Sequence, residues 1–194
     1  MLNPDYHLLL NICYGPWIPK IQKDVWRRAY AKFQSIGDIR KLEDEDISNL
    51  DLRFSWQRER IKKMRDYLRK ESISFRDFLT RLKGLNGIEM RDKFREIMGG
   101  SSTKVYSTFI RDFMEKDDVF PIDSRVYSMR NKLGLPKDEK IMIKLCRDLE
   151  ISPSLFEGFL YRFKEEFCDK NKYAECPIRD ECWCSKIEKY CCKI

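Results

Sequence analysis

Ile97-Met98-Gly99-Gly100-Ser101-Ser102-Thr103-Lys104-Val105 joins two helical patterns through a pair of glycines. Before it, residues 88–98 repeat apolar side chains at helical spacing. After it, the pattern resumes from Ser102 with Val105, Phe109, Ile110, Phe113 and Met114 on the inward face. A glycine turn of this kind exposes backbone N–H groups at the start of the second helix. That end carries partial positive charge and accepts a phosphate without preference for a base. A turn between helices is also an ordinary connector, so it identifies nothing by itself.

Outward from the turn, the whole chain reads as helix. Ser55 to Lys70 places Ile61, Met64 and Leu68 on one face, and Ser74 caps a short helix running to Leu82. Lys20 to Ile36 reads as a helix ended by Gly37. Downstream, Phe120-Pro121-Ile122 is extended, because Pro121 biases Phe120 away from helix. Asp123 then caps a helix that turns Val126, Met129 and Leu133 inward. Gly134 and Pro136 end it. Asp138 to Leu149 is the next helix, with Met142, Leu145, Cys146 and Leu149 inward. Ser152-Pro153 starts a last helix to Phe167, whose Phe156, Phe159, Phe163 and Phe167 read as core. Strand signals, repeats and low-complexity linkers are lacking, so the expected class is all-α.

The chain has 194 residues, 42 % of them hydrophobic, which is enough for one domain or two small lobes. No apolar run approaches a membrane span, and no charged leader precedes an apolar segment. The expectation is a cytoplasmic monomer with no membrane contact. Lys and Arg outnumber Asp and Glu by 39 to 32. Eight basic residues against Glu59 and Asp66 fall between Arg53 and Lys70, so that stretch holds most of the excess. Such a surface suits a polyanion, although a solvated helix face looks the same in sequence. His7 is the single histidine, which removes histidine triads and histidine-rich zinc sites. Catalysis must then run on Lys, Asp, Glu, Cys or Tyr.

Two units of sequence carry a resemblance. Gly-x-x-x-Lys-Val at Gly100–Val105, a hydrophobic helix, then Phe120-Pro121-Ile122-Asp123-x-x-Val126 resembles the helix–hairpin–helix–Gly/Pro–Asp DNA glycosylases. That superfamily includes endonuclease III, adenine glycosylase and the 8-oxoguanine glycosylases. The likeness extends loosely from Leu8 to the C-terminus and is strongest from Gly99 to Leu135. It implies a two-lobed helical fold: residues 20–116 form the lobe with the helix–hairpin–helix, and 1–19 with 117–194 form the second. It implies that Lys104 is the nucleophile and Asp123 the essential carboxylate. The Ser-Thr-Lys-Val run is most similar to the 8-oxoguanine branch. One departure is plain: the family's Leu-Pro-Gly-Val-Gly hairpin reads Met98-Gly99-Gly100-Ser101-Ser102 here. Gly99, Gly100, Ser101 and Ser102 are the implied DNA-backbone contacts. Trp17 lies where the family inserts a residue into the gap left by the flipped base.

The chemistry suits these residue types. Cleaving an N-glycosidic bond builds positive charge at the sugar C1′, which a carboxylate stabilises. A neutral amine can attack C1′ and form a Schiff base, which permits strand cleavage by β-elimination. The base has to leave the stack to be reached. Each residue also has an ordinary reading, Asp123 as a helix cap and Lys104 as a solvated lysine. The implied activity is a base-excision glycosylase with AP-lyase activity on double-stranded DNA. Two alternatives are a monofunctional uracil or thymine glycosylase and a non-enzymatic DNA-binding module.

Six of the eight cysteines fall in the last 27 residues: Cys168, Cys176, Cys182, Cys184, Cys191 and Cys192. Clustering in a cytosolic chain favours a metal or iron–sulfur site over disulfides. The resemblance implies a [4Fe–4S] cluster in a loop over residues 168–192, since Cys176-x5-Cys182 is similar to the family's final pair. The upstream half departs, with Tyr173 at a ligand position. Cys168, Cys176 and Cys182 are the implied ligands, with Cys184 chosen as the fourth over Cys191 and Cys192. Four thiolates suit structural zinc equally.

Overall fold

A computed structural model of the chain describes residues 3–13, 28, 35, 37–50, 52, 54–100 and 104–182. Among them there is helix and no strand, and no helix is long and apolar enough to cross a membrane. The chain divides into two compact units, Met1–Lys116 and Asp117–Ile194. The expected helix over 20–36 lies almost entirely outside the described residues.

The first unit contains α1 (Pro4–Cys13), a 3-10 turn (Ile39–Lys41), α2 (Asp44–Ser48), α3 (Ser55–Lys70), α4 (Phe75–Leu82), α5 (Gly87–Met98) and α6 (Lys104–Met114). Local chemistry sets their ends. Ser74 Oγ accepts the Asp77 N–H at 3.1 Å while Asp77 Oδ2 accepts the Ser74 N–H at 3.2 Å. Asn86 and Glu89 exchange the same pair of bonds at the start of α5. Each box satisfies two backbone donors that a helix start leaves open. Phe75, Phe94, Tyr106 and Phe109 are fully buried. Phe94 meets Phe78 and Phe109 edge-on, both at 5.5 Å between ring centroids. Burying one such ring is worth about 1.5–3 kcal/mol, so this cluster is the principal brace of α4, α5 and α6.

Residues 4–13 pack within the first unit, where α1 lies against α6, α3 and α4. Leu8, Leu9 and Ile12 are sealed there, and Gln57 Nε2–H donates to the Ile12 carbonyl at 3.0 Å. That bond satisfies an acceptor the helix end would otherwise bury alone.

The second unit runs through an extended segment at 120–122 into α7 (Ser124–Lys132), α8 (Glu139–Asp148) and α9 (Pro153–Phe163). A π-helical turn (Lys164–Cys168) continues directly from α9. Its core is Val119, Phe120, Val126, Met129, Met142, Ile143, Cys146, Leu160 and Phe163. The phenylalanine stripe expected to be core is only partly so. Phe163 is buried, Phe156 and Phe167 are half-buried, and Phe159 stands 49 % exposed. Leu149, also expected inside, is 59 % exposed, while Ile143 takes an inward place. The apolar stripe of α9 exceeds what α7, α8 and the π turn cover.

Candidate functional site

The glycine turn is built as its sequence demands. Gly99 closes α5 with φ +73° and Gly100 comes next at φ +95°, a region side chains rarely tolerate. Gly99 N–H donates to the Arg95 carbonyl at 2.8 Å, and the Gly99 carbonyl accepts the Tyr106 hydroxyl at 2.6 Å. Burial pushes the Tyr106 hydroxyl up, which keeps it protonated as the donor that ties the turn to α6. Ser101 and Ser102 lie outside the described residues, as do Trp17, Cys184, Cys191 and Cys192.

Lys104 is the first residue of α6 and is half-buried. Asp123 is the N-cap of α7, with extended backbone and its Oδ1 accepting the Val126 N–H at 2.8 Å. The segment before it is pinned by the Phe120 N–H, which donates to Glu139 Oε1 at 2.8 Å. Lys104 belongs to the first unit and Asp123 to the second, each placed by its own unit.

Beside Asp123 stands a polar network that sequence reasoning missed. Arg125 donates through Nε to Asp169 at 3.0 Å and through Nη1 to the Tyr161 hydroxyl, and Nη1 lies 3.4 Å from Glu165. Its guanidinium also lies 4.7 Å from the centre of the Tyr161 ring. Burial raises the Tyr161 hydroxyl, Arg125 opposes this, and the charges of Glu165 and Asp123 add to it. Tyr161 is therefore within electrostatic reach of the Asp123 carboxylate. The one local signal was Arg125 standing two residues after Asp123; its partners lie more than thirty residues further on.

The basic stretch reads differently in three dimensions. Arg65 is buried and donates to Asp44 at 2.7 Å, Asp66 at 2.8 Å and the Leu42 carbonyl at 3.3 Å. Arg69 binds Glu43 at 2.8 Å together with the carbonyls of Arg40 and Leu42. Lys62 pairs with Asp44 at 3.3 Å, and Arg58 donates to the Leu52 carbonyl. Arg65 and Lys62 together hold the Asp44 carboxyl below its ordinary range. Much of this charge clamps the segment from Arg40 to Asp46 onto α3 instead of lining a polyanion surface.

Two of the cysteines after α9, Cys168 and Cys182, lie against α7. Cys168 ends the π turn, which Asp169 N–H closes onto the Lys164 carbonyl at 2.8 Å. Its Sγ lies 3.9 Å from Met129 Sδ, and Cys182 Sγ lies 4.0 Å from the Lys132 carbonyl. Burial raises the Cys168 thiol, Lys132 and Lys164 oppose the rise, and Cys176 and Cys182 add to it. Cys176 and Cys182 are thus within electrostatic reach of Cys168, and none of the three is in a disulfide. The donor set fits a soft metal centre in kind. Among the described residues no three cysteine, histidine or carboxylate side chains are already arranged around one point.

No protein-family model, no curated protein and no solved structure matches the chain.

Proposed function

We propose that this protein is a DNA glycosylase with AP-lyase activity that excises oxidised bases from duplex DNA, with 8-oxoguanine favoured and oxidised pyrimidines next. One observation supports the reading best. Lys104 opens a helix just past a turn of two positive-φ glycines, and Asp123 opens another behind an extended Phe-Pro-Ile segment. In this reading the turn meets the DNA backbone, the Lys104 amine attacks C1′, and the Asp123 carboxylate stabilises the charge that develops there. The base leaves as the C1′–N bond breaks, the C1′–O4′ bond then opens to give the imine, and the imine makes the neighbouring strand labile to β-elimination. The test is a panel of duplexes, each with one lesion, scored separately for base release and strand nicking. Release and nicking at an oxidised base are expected; release without nicking would point to a monofunctional enzyme. A non-enzymatic DNA binder has one observation in its favour: Asp123 already serves a structural purpose as a cap. That alternative predicts binding with no release from any duplex.

In the same proposal the C-terminal cysteines hold a [4Fe–4S] cluster, with zinc as the competing metal. Cys168, Cys176 and Cys182 would be ligands together with Cys184. The centre would shape the loop against α7 and take no part in bond breaking. Protein purified without air should be brown and carry about four irons per chain. Cys176→Ser or Cys182→Ser should bleach it, whereas Cys146→Ser, buried in α8, should not. Colourless protein with one zinc would change the metal, and folded metal-free protein would remove the cysteines as ligands.

A further inference from the structure

We infer that Arg60 and Lys63 of α3, gathered against the Gly99–Gly100 turn, form a seat for one phosphodiester of the DNA backbone. The inference rests on the DNA-binding reading above and adds two residues from a helix distant in sequence.

Arg60 is the unusual member of the buried arginines. Arg65 has three acceptors, Arg91 binds Asp92 at 3.0 Å, and Arg130 donates to the Lys137 carbonyl at 2.9 Å. Arg60 is only 7 % exposed, yet among the described residues it meets no carboxylate or carbonyl. What holds it is aromatic: its guanidinium carbon lies 4.5 Å from the centre of the Trp56 ring and 5.2 Å from that of Tyr106. Ring faces attract a cation and fix its plane without consuming its N–H donors. The rings leave the guanidinium's N–H donors for another acceptor, and an arriving anion would take them as charge-assisted hydrogen bonds.

Its donors sit at the turn. A Cβ on Gly100 would fall 2.0 Å from Nη2, 2.9 Å from Cζ and 3.1 Å from Nε, so the whole guanidinium lies over this glycine. Gly100 is needed twice, for its φ of +95° and for the space the guanidinium occupies. A Cβ on Gly99 would lie 3.6 Å from Lys63 Nζ. Lys63 is held otherwise by a loose, exposed pair with Glu59 at 3.8 Å. Two cations therefore converge on a stretch of backbone that carries no side chain. A planar donor fork beside a point charge suits a compact anion with several acceptor oxygens. In duplex DNA that anion is the backbone phosphate, which positions a protein without reading sequence.

The experiment measures affinity for a short undamaged duplex across a salt series. It compares wild type with Lys63→Gln, Arg60→Lys and the pair Arg60→Gln/Lys63→Gln. Lys93→Gln, an exposed lysine of α5 paired with Glu96, is the control. Lys63→Gln should lower the slope of log affinity against log salt by about one unit, the double variant by about two, and Lys93→Gln by none. Arg60→Lys should keep the slope yet bind more weakly, because an ammonium loses the fork. Should the double variant fail to fold, Lys63→Gln still decides, since its side chain is 48 % exposed. A folded Lys63→Gln with the wild-type slope overturns the seat. If such protein still releases a damaged base, the glycosylase reading stands without the seat. Slope loss with no release from any duplex keeps the seat and removes the glycosylase reading.

Discussion

Replacing Lys104 by glutamine is expected to abolish borohydride trapping of the protein on lesion-containing or abasic DNA. Trapping needs an imine between an amine and C1′, which borohydride reduces to a stable secondary amine. Glutamine's amide nitrogen cannot form that imine. Base release should fall on the order of 10³-fold or more, because the nucleophile is lost and not merely misplaced. The fold should survive. Lys104 is a half-buried first residue of α6, and the side chains that hold that helix are Val105, Tyr106, Phe109 and Ile110. An unchanged melting temperature alongside lost trapping would assign the chemistry to this amine. A glutamine variant that traps as wild type does would mean another amine is the nucleophile.

Asp123→Asn is expected to lower base release by about 10²- to 10³-fold while leaving duplex affinity near wild type. The loss comes from removing a charge that acts on the transition state and not on the phosphate backbone. Asparagine caps a helix about as well as aspartate, so the Val126 N–H at 2.8 Å keeps an acceptor. Stability should then change little. Asp123→Ala, in contrast, should also cost about 1 kcal/mol in a denaturant titration. The two variants separate the cap from the carboxylate. A folded Asp123→Asn that binds DNA and excises at the wild-type rate would reduce Asp123 to its cap.

The elements of the fold were legible because their signals are local. Ser74 and Asp77 close their box across three residues, and the observed α3 covers the expected Ser55–Lys70. Pro121 sets the extended segment, and Asp123 caps α7 immediately after it. The glycines of the turn take the positive φ values for which glycine is suited. Each of these outcomes depends on neighbours a few residues away, which a sequence displays directly.

What tertiary structure decided was the fate of side chains whose partners are remote. The sequence presents Arg58, Arg60, Lys62, Lys63, Arg65 and Arg69 as equivalent charges on one helix. Only folding brings Asp44, twenty-one residues away, to Arg65, and Glu43 to Arg69, while setting Arg60 between Trp56 and Tyr106. Likewise Arg125 acquires Asp169 across forty-four residues, and Gln57 reaches the Ile12 carbonyl across forty-five. The periodicity of α9 named an apolar stripe correctly but not its cover, which leaves Leu155 and Phe159 at the surface. The sequence by itself determined the helices from α3 to α9, the caps Ser74, Asp123 and Ser152, and the glycine turn, because backbone sterics and nearest-neighbour hydrogen bonds suffice for them. Which cations remain available for a ligand was decided only by the packed chain, because a charge is spent or unspent according to what folding places beside it.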